Sequence, residues 1–260
     1  MNNQGNYQLS LSRNREDLKK LIKELFVSYK KVFNNNQNLE SFNKNLIDPF
    51  QMLIERIFLN KNFEEIIEAE IIRQQGKTCA NLIGDFHQEV FNCLNPDWKM
   101  PKIGWDLINE EKKICVEMKN KHNTMNSGSS RTVFEKMKNQ VEKDSESQCF
   151  LVEIIAKKSQ NEVWNPSFDG KKYENERIRR VSIDKFYELA TGDKEAFFKL
   201  INLLPNLLGE VAKEEKLELG LKNNSIIDNL SKDGNIFVSL LKLAFGKYEG
   251  FEEFFEKKMK

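Results

Sequence analysis

The sequence predicts an α/β fold, a mixed sheet surrounded by helices, and three observations predict it. Apolar residues recur at helical spacing through the first 94 residues and again beyond Ser182. Between them, "GWDLINEEKKICVEMKNKH" (104–122) reads as two short apolar strands joined by a charged turn. After a further helical stretch, "QCFLVEIIAKK" (148–158) is the most apolar strand of the chain. Strand, helix, strand in that order implies a right-handed crossover and two parallel strands.

Each element has a local cause. In "REDLKKLIKELFVSYKKVF" (15–33), Leu18, Leu21, Ile22, Leu25, Phe26, Tyr29 and Phe33 mark one helical stripe. The Asn-rich "NNNQN" (34–38) breaks it. "DPFQMLIERIF" (48–58) is an amphipathic helix with Asp48 as N-cap and proline in the first helical position. "FEEIIEAEIIRQQ" (63–75) is the next helix, and "NLIGDFHQEVFNCL" (81–94) is a shorter one ended by the Asn95-Pro96 turn. The hairpin strands are expected near 103–109 and 113–119. A polar loop over 120–130 precedes a helix with Val133, Phe134, Met137 and Val141 on one face. The basic segment 157–180 is expected to be an excursion from the sheet. "SIDKFYELATG", "KEAFFKLINLLPNLLGEVAKEE" and a stretch near 236–246 read as helices, and "FEEFFEKKMK" as an amphipathic terminal helix. The expected organisation is one domain over 1–260: a helical part (1–80), an α/β core (81–186) and a second helical part (187–260).

Composition excludes several classes. Of 260 residues, 39% are hydrophobic and 31% charged, so the chain is not disordered, and a net charge of +1 means that a polyanion site must be a local patch. Cys79, Cys93, Cys115 and Cys149 form no CxxC pair, and His87 and His122 are the only histidines, which argues against structural zinc and for free thiols in a reducing cytoplasm. The first twenty residues lack the apolar run of a signal peptide, and no stretch has the uninterrupted apolar length of a membrane span.

The chemistry lies in the hairpin. Centring its turn between Glu111 and Lys112 pairs Asn109 with Ile114 and Asp106 with Glu117. Opposed residues on one sheet face have Cβ atoms about 4.5–5.5 Å apart. Two carboxylates at that distance repel, so the pair is a poor stability device. Their converging oxygens suit Mg²⁺, which accepts one or two carboxylates and fills its shell with water and phosphate oxygens. Alternation puts Lys119 on the face of Glu117, where an ammonium can orient an attacking water and offset phosphate charge. An acid-x-lysine triplet alone is weak evidence, since exposed strands often carry such pairs; the opposed spacing and the flanking helix and strand strengthen it.

This arrangement resembles the PD-(D/E)xK nucleases, in which one acid lies on a hairpin strand and the acid-x-lysine triplet on its neighbour. The resemblance assigns Asp106, Glu117 and Lys119 as catalytic, with Asp106, Glu117 and the Met118 backbone carbonyl as metal ligands. Trp105 stands where the motif's proline would be. "IGDFHQEVF", "GWDLINEEKKICVEMKNKHNTMNSGSS" and "CFLVEIIAKKSQNEVW" together resemble the type II restriction endonucleases that cut GGNCC, over roughly residues 81–164. The resemblance implies a PD-(D/E)xK core and Mg²⁺-dependent cleavage of double-stranded DNA at a short pseudo-palindrome. It also implies a paired cytosine methyltransferase that protects the host DNA.

Further candidates surround this core. Glu89 shares a helical stripe with Leu82, Phe86 and Cys93, and by the resemblance adds a metal contact; the competing reading is a half-exposed glutamate. His87, with Ile83, Val90 and Leu94, reads first as a core residue; Gln88 has no forced role. Lys121, His122, Asn123, Asn126 and Arg131 leave the catalytic strand toward the scissile phosphate and are candidate DNA contacts, with a solvated loop as the alternative. Arg177, Arg179 and Arg180 are candidates for reading guanine in the major groove, against a charged surface strand. A pseudo-palindromic site is most simply met by a two-fold homodimer. A repair or junction-resolving nuclease on the same core, an inactive DNA-binding module and a helical scaffold protein remain as rivals.

Overall fold

The computed structural model describes residues 15–35, 48–122, 124–215 and 245–251, with Val238, Glu253 and Phe255. Its centre is a six-stranded mixed sheet. The helices are α1 (Arg15–Asn35), α2 (Pro49–Phe58), α3 (Phe63–Leu94), α4 (Ser127–Lys143), α5 (Ile183–Thr191) and α6 (Ala196–Glu214). The strands are β1 (Trp98–Lys99), β2 (Leu107–Asn109), β3 (Ile114–Lys121), β4 (Gln148–Ile155), β5 (Asn161–Val163), β6 (Ser167–Phe168), β7 (Lys171–Lys172) and β8 (Ile178–Ser182). The sheet order is β1-β2-β3-β4-β8-β5, and β6 and β7 form a separate ribbon. β3, β4 and β8 run parallel, while β1, β2 and β5 pair antiparallel.

Most expected helices form where their spacing places them. Asp48 caps α2, its Oδ1 accepting from Phe50 N at 2.9 Å and Gln51 N at 3.1 Å. Asn62 and Glu65 close a capping box on α3. The expected break between residues 75 and 81 does not occur: α3 is one helix of 32 residues. Gly76 weakens a helix without ending it, and the buried Gln74, Gln75 and Cys79 keep this turn packed. The last expected helix and the terminal "FEEFFEKKMK" lie largely outside the described residues. There Phe245, Tyr248, Phe251 and Phe255 are buried, and the Tyr248 hydroxyl donates to Ile154 O at 3.1 Å and accepts from Ala156 N at 2.7 Å.

Three further expectations need correction. The first hairpin strand starts at Leu107, because Pro101–Asp106 is irregular and Gly104 has φ +102°. α4 begins at Ser127, since the Asn126 side chain caps it by accepting from Ser129 N at 2.8 Å. The basic segment 157–180 leaves the sheet only in part: β8 takes the place beside β4 and β5 the edge beyond it, while residues 164–177 between them carry the separate β6–β7 ribbon. Its charges hid β8, because Ile178 and Val181 are that strand's only apolar buried residues, beside the buried Ser182, while Arg179 and Arg180 are only half-buried.

Two cores flank the sheet. One joins α1, α3, α5 and α6 to Val116, Met118, Phe150, Val152 and Val181. The other sets Phe134, Met137 and Val141 of α4 against Cys149, Leu151 and Ile178. α4 covers only the part of its face nearer the strand starts. Toward the strand ends, the side chains on that face become polar: Glu117, Lys119 and Lys121 on β3, Glu153 on β4 and Arg180 on β8.

Candidate active site

The hairpin holds the expected register over Asn109–Ile114, Ile108–Cys115 and Leu107–Val116, but the expected pairing of Asp106 with Glu117 does not form. At its open end the ladder slips. Asp106 N donates to Val116 O at 3.0 Å, so Asp106 and Leu107 both sit against Val116, as in a β-bulge. The Asp106 carboxylate then takes the place of the missing strand backbone: Oδ2 accepts from Met118 N at 2.6 Å. Because the N–H and C=O of one strand residue point to the same edge, the Met118 carbonyl also faces this open edge, beside Asp106.

Glu117 lies one residue away on the α4 face. Its Oε1 accepts from Lys119 Nζ at 2.6 Å and its Oε2 from Lys136 Nζ at 2.7 Å. Lys136, on α4, also lies over the Trp105 ring, 4.1 Å from its centroid. The two acids titrate in opposite directions. Burial pushes the Asp106 carboxyl up; the Met118 N–H opposes this, and the charge of Glu117 adds to it. Burial also acts to raise Glu117, but hydrogen bonds from Lys119 and Lys136 outweigh it and hold the carboxyl below its ordinary range. Asp106, Glu117, Lys119 and Lys136 therefore form one electrostatic cluster. Among the described residues no group of three or more His, Cys, Asp or Glu side chains is placed to hold a metal. A cation here would rely on two carboxylates, a carbonyl and non-protein oxygens, a donor set of the kind Mg²⁺ accepts.

Lys136 is a site residue that the sequence does not mark: nothing in its spacing separates it from Lys138 or Lys143, and the one clue is Trp105 at the motif's proline position. Glu153 is another, and its signal is visible, an acid inside the most apolar strand. Its residue is 1% exposed. Oε2 lies 3.0 Å from His122 Nδ1, and Oε1 accepts from Arg180 Nε at 2.9 Å. His122 Nδ1 is also 2.9 Å from Arg180 Nη2, so it donates to the carboxylate or accepts from the guanidinium, one at a time. This trio lies one strand from Lys119, since Lys119 pairs with Glu153.

The other candidates scatter. Lys121 is exposed at the end of β3. Asn126 is occupied as the α4 cap. Arg131 pairs with Asp169 and lies over the Phe168 ring at 5.3 Å. Asn123 is outside the described residues. Arg177 donates to the carbonyl oxygens of Asp144 (3.1 Å) and Ser147 (3.5 Å), at the opposite end of the sheet from Lys119. Arg179 pairs across the ladder with Phe150, whose side chain faces the other core, and its Nε donates to Asn161 Oδ1 at 2.6 Å. Of the three arginines, Arg180 alone lies on the face of Glu117 and Lys119. Glu89 takes its electrostatic neighbours from Glu24 of α1 and from Asp85, not from the hairpin acids. His87 is half-buried, but its Nδ1 is enclosed without a hydrogen-bond partner, and burial lowers its pKa to about 4.

A groove of about 500 Å³ opens beside this cluster, lined by His122, Asn126, Ser127, Gln160, Trp164 and Arg180. The first turn of α4 borders it through Asn126, Ser127 and Ser130. A larger cavity, about 580 Å³, lies between α5 and α6, where five acids (Asp184, Glu188, Glu195, Glu249 and Glu253) outnumber Lys185 and Lys194, a balance that disfavours a polyanion. Among the described residues no helix is long and apolar enough to cross a membrane.

Comparison with known proteins identifies the family. The family model described as "Eco47II restriction endonuclease" matches residues 13–213. The type II restriction enzyme Sau96I of Staphylococcus aureus is 29% identical over 215 residues, covering 79% of this chain and 82% of that protein. The type II restriction enzyme Eco47II of Escherichia coli is 32% identical over 242 residues, covering 89% of this chain and 96% of that protein. With its family model spanning Asp106, Glu117 and Lys119 and most of the chain around them, this protein belongs to the Eco47II restriction endonuclease family.

Proposed function

We propose that the protein is a type II restriction endonuclease that makes Mg²⁺-dependent double-strand cuts in DNA at a short pseudo-palindrome, GGNCC or a subset of it. What supports the reading is that Asp106, held on Met118 N, and the Glu117–Lys119 pair belong to one electrostatic cluster, in a member of a restriction endonuclease family. Bound there, Mg²⁺ would lower the pKa of a water and neutralise charge on the scissile phosphate. The chain's own groups do the rest. Asp106 and Glu117 supply the anionic oxygens. Lys119 orients the water for in-line attack, which breaks the P–O3′ bond and leaves a 5′-phosphate. Lys136, on the other oxygen of Glu117, would supply a second ammonium near the phosphate.

The groove at the start of α4 takes the DNA backbone, with His122, Asn126 and Arg180 bordering it, Lys121 in the smaller pocket that shares Arg180, and Arg131 at the β6–β7 side. Asn123 is assigned to the same contact from the sequence. Glu89, facing α1, is left without a metal role, and Arg177 and Arg179 without a base-reading one. Two cuts, one per strand, call for a homodimer, and the host for a cytosine methyltransferase and a cytoplasmic location. Sequencing the ends of one plasmid digest tests the reading: discrete fragments ending within one pentanucleotide support it, and a smear or junction-only cutting favours a repair nuclease on the same core.

A further inference from the structure

α2 turns its apolar stripe outward. Phe50, Leu53, Ile54, Ile57 and Phe58 recur at i, i+3, i+4, i+7 and i+8, the spacing of a face that packs on a core. Yet they are 70%, 41%, 40%, 67% and 84% exposed. The helix is held to the chain by its other side: Met52 is buried, and Glu55 Oε2 accepts from Arg73 Nη2 of α3 at 2.9 Å.

The position of α2 matters as much as its exposure. Asn120, near the end of β3, donates from Nδ2 to Ala80 O of α3 at 2.9 Å. At its other end α3 lies beside the strand starts, where Asn92 Nδ2 donates to the carbonyl of Trp98, the partner of Asn109. Residues 63–79 of α3 therefore run on past the catalytic edge, by about 25 Å at 1.5 Å per residue. α2 rides on this projection.

We propose that the stripe is the dimer surface and that its occupant is the same stripe of a second copy, α2 against α2 across a two-fold axis. DNA does not suit it, since a polyanion gains nothing from Phe, Leu and Ile. The area does suit a second copy: five such side chains at these exposures present roughly 600 Å² per copy, about 1,200 Å² in all, the lower bound for a specific, stable interface. A single stripe laid antiparallel on itself is self-complementary, as a two-fold contact requires. The purpose of the contact rests on the restriction-enzyme reading, since the projection from the catalytic edge brings two active sites to one duplex.

Sedimentation velocity of the full chain without DNA, at about 1–50 µM, tests the proposal independently of cutting. The expected mass is twice the 30.5 kDa of one chain. The double substitution Ile57→Lys/Phe58→Lys is expected to give the single-chain mass with unchanged helical circular dichroism, while Lys119→Ala stays at the doubled mass. Leu53→Cys, treated with a short bis-maleimide, is expected to yield covalent dimers that the wild type does not. A wild type of single-chain mass over the whole range, or a doubled mass that survives the Ile57→Lys/Phe58→Lys change, overturns the proposal. If the protein dimerises through α2 but does not cut DNA, the dimer stands and the nuclease reading falls.

Discussion

Glu117 sits between two ammonium groups while Asp106, its neighbour, caps a backbone N–H with little cationic help. Their environments push the two carboxyls apart, the usual mark of acids with different tasks. The sign for stability follows from Asp106. Below the ordinary aspartate range it is protonated whether the chain is folded or not; as pH rises through its raised folded value, the ionised form is disfavoured and stability is lost. Asp106→Asn is therefore expected to melt at the wild-type temperature near pH 3 and above it at pH 7–8, both in EDTA. A lower melting temperature at pH 8 contradicts the assignment. On the proposed reading, Lys119→Ala lowers the cutting rate by about 10³-fold and Lys136→Met by about 10-fold or more, in single-turnover assays. The triplet was legible because alternation along a strand fixes which residues share a face. Lys136 was not, because the contact between α4 and the sheet is a tertiary fact that no spacing encodes.

At the scale of elements, β4 and β8 place the buried Glu153 beneath Arg180 and His122. Removing one partner of a buried pair strands the other charge. Arg180→Ala is expected to lower stability by about 3 kcal/mol in urea titrations, besides any effect on DNA binding; a stability change near zero would mean that the guanidinium is free for DNA. The sequence could not sort Arg177, Arg179 and Arg180, because their faces depend on the register of β8, a strand its charges disguised. The continuity of α3 makes a separate prediction. Gly76 lies in the helix with no atom within 4 Å of an added Cβ. Gly76→Ala should stabilise the protein by about 0.5–1 kcal/mol in thermal melts; destabilisation would restore the expected break.

At the scale of the molecule, the +1 net charge says little about partners, and what matters is where the charges lie. Lys119, Lys121, Lys136 and Arg180 gather at the strand ends, while the acids of the larger cavity lie between α5 and α6. The α/β class, the parallel β3–β4 pair and the site edge were legible, since they follow from periodicity. The α2 stripe was legible as amphipathic, but only the fold reveals that it faces outward. On the dimer proposal, Ile57→Lys/Phe58→Lys should let nicked circles accumulate before linear plasmid appears, where the wild type linearises directly. Glu117 is the central residue of the site, and cleavage of supercoiled plasmid by the wild type and by Glu117→Gln, each in Mg²⁺ and in EDTA, tests its role. Cutting by the wild type in Mg²⁺ alone, with none by Glu117→Gln, is the predicted result; wild-type cutting that persists in EDTA, or a Glu117→Gln rate equal to wild type, would contradict it.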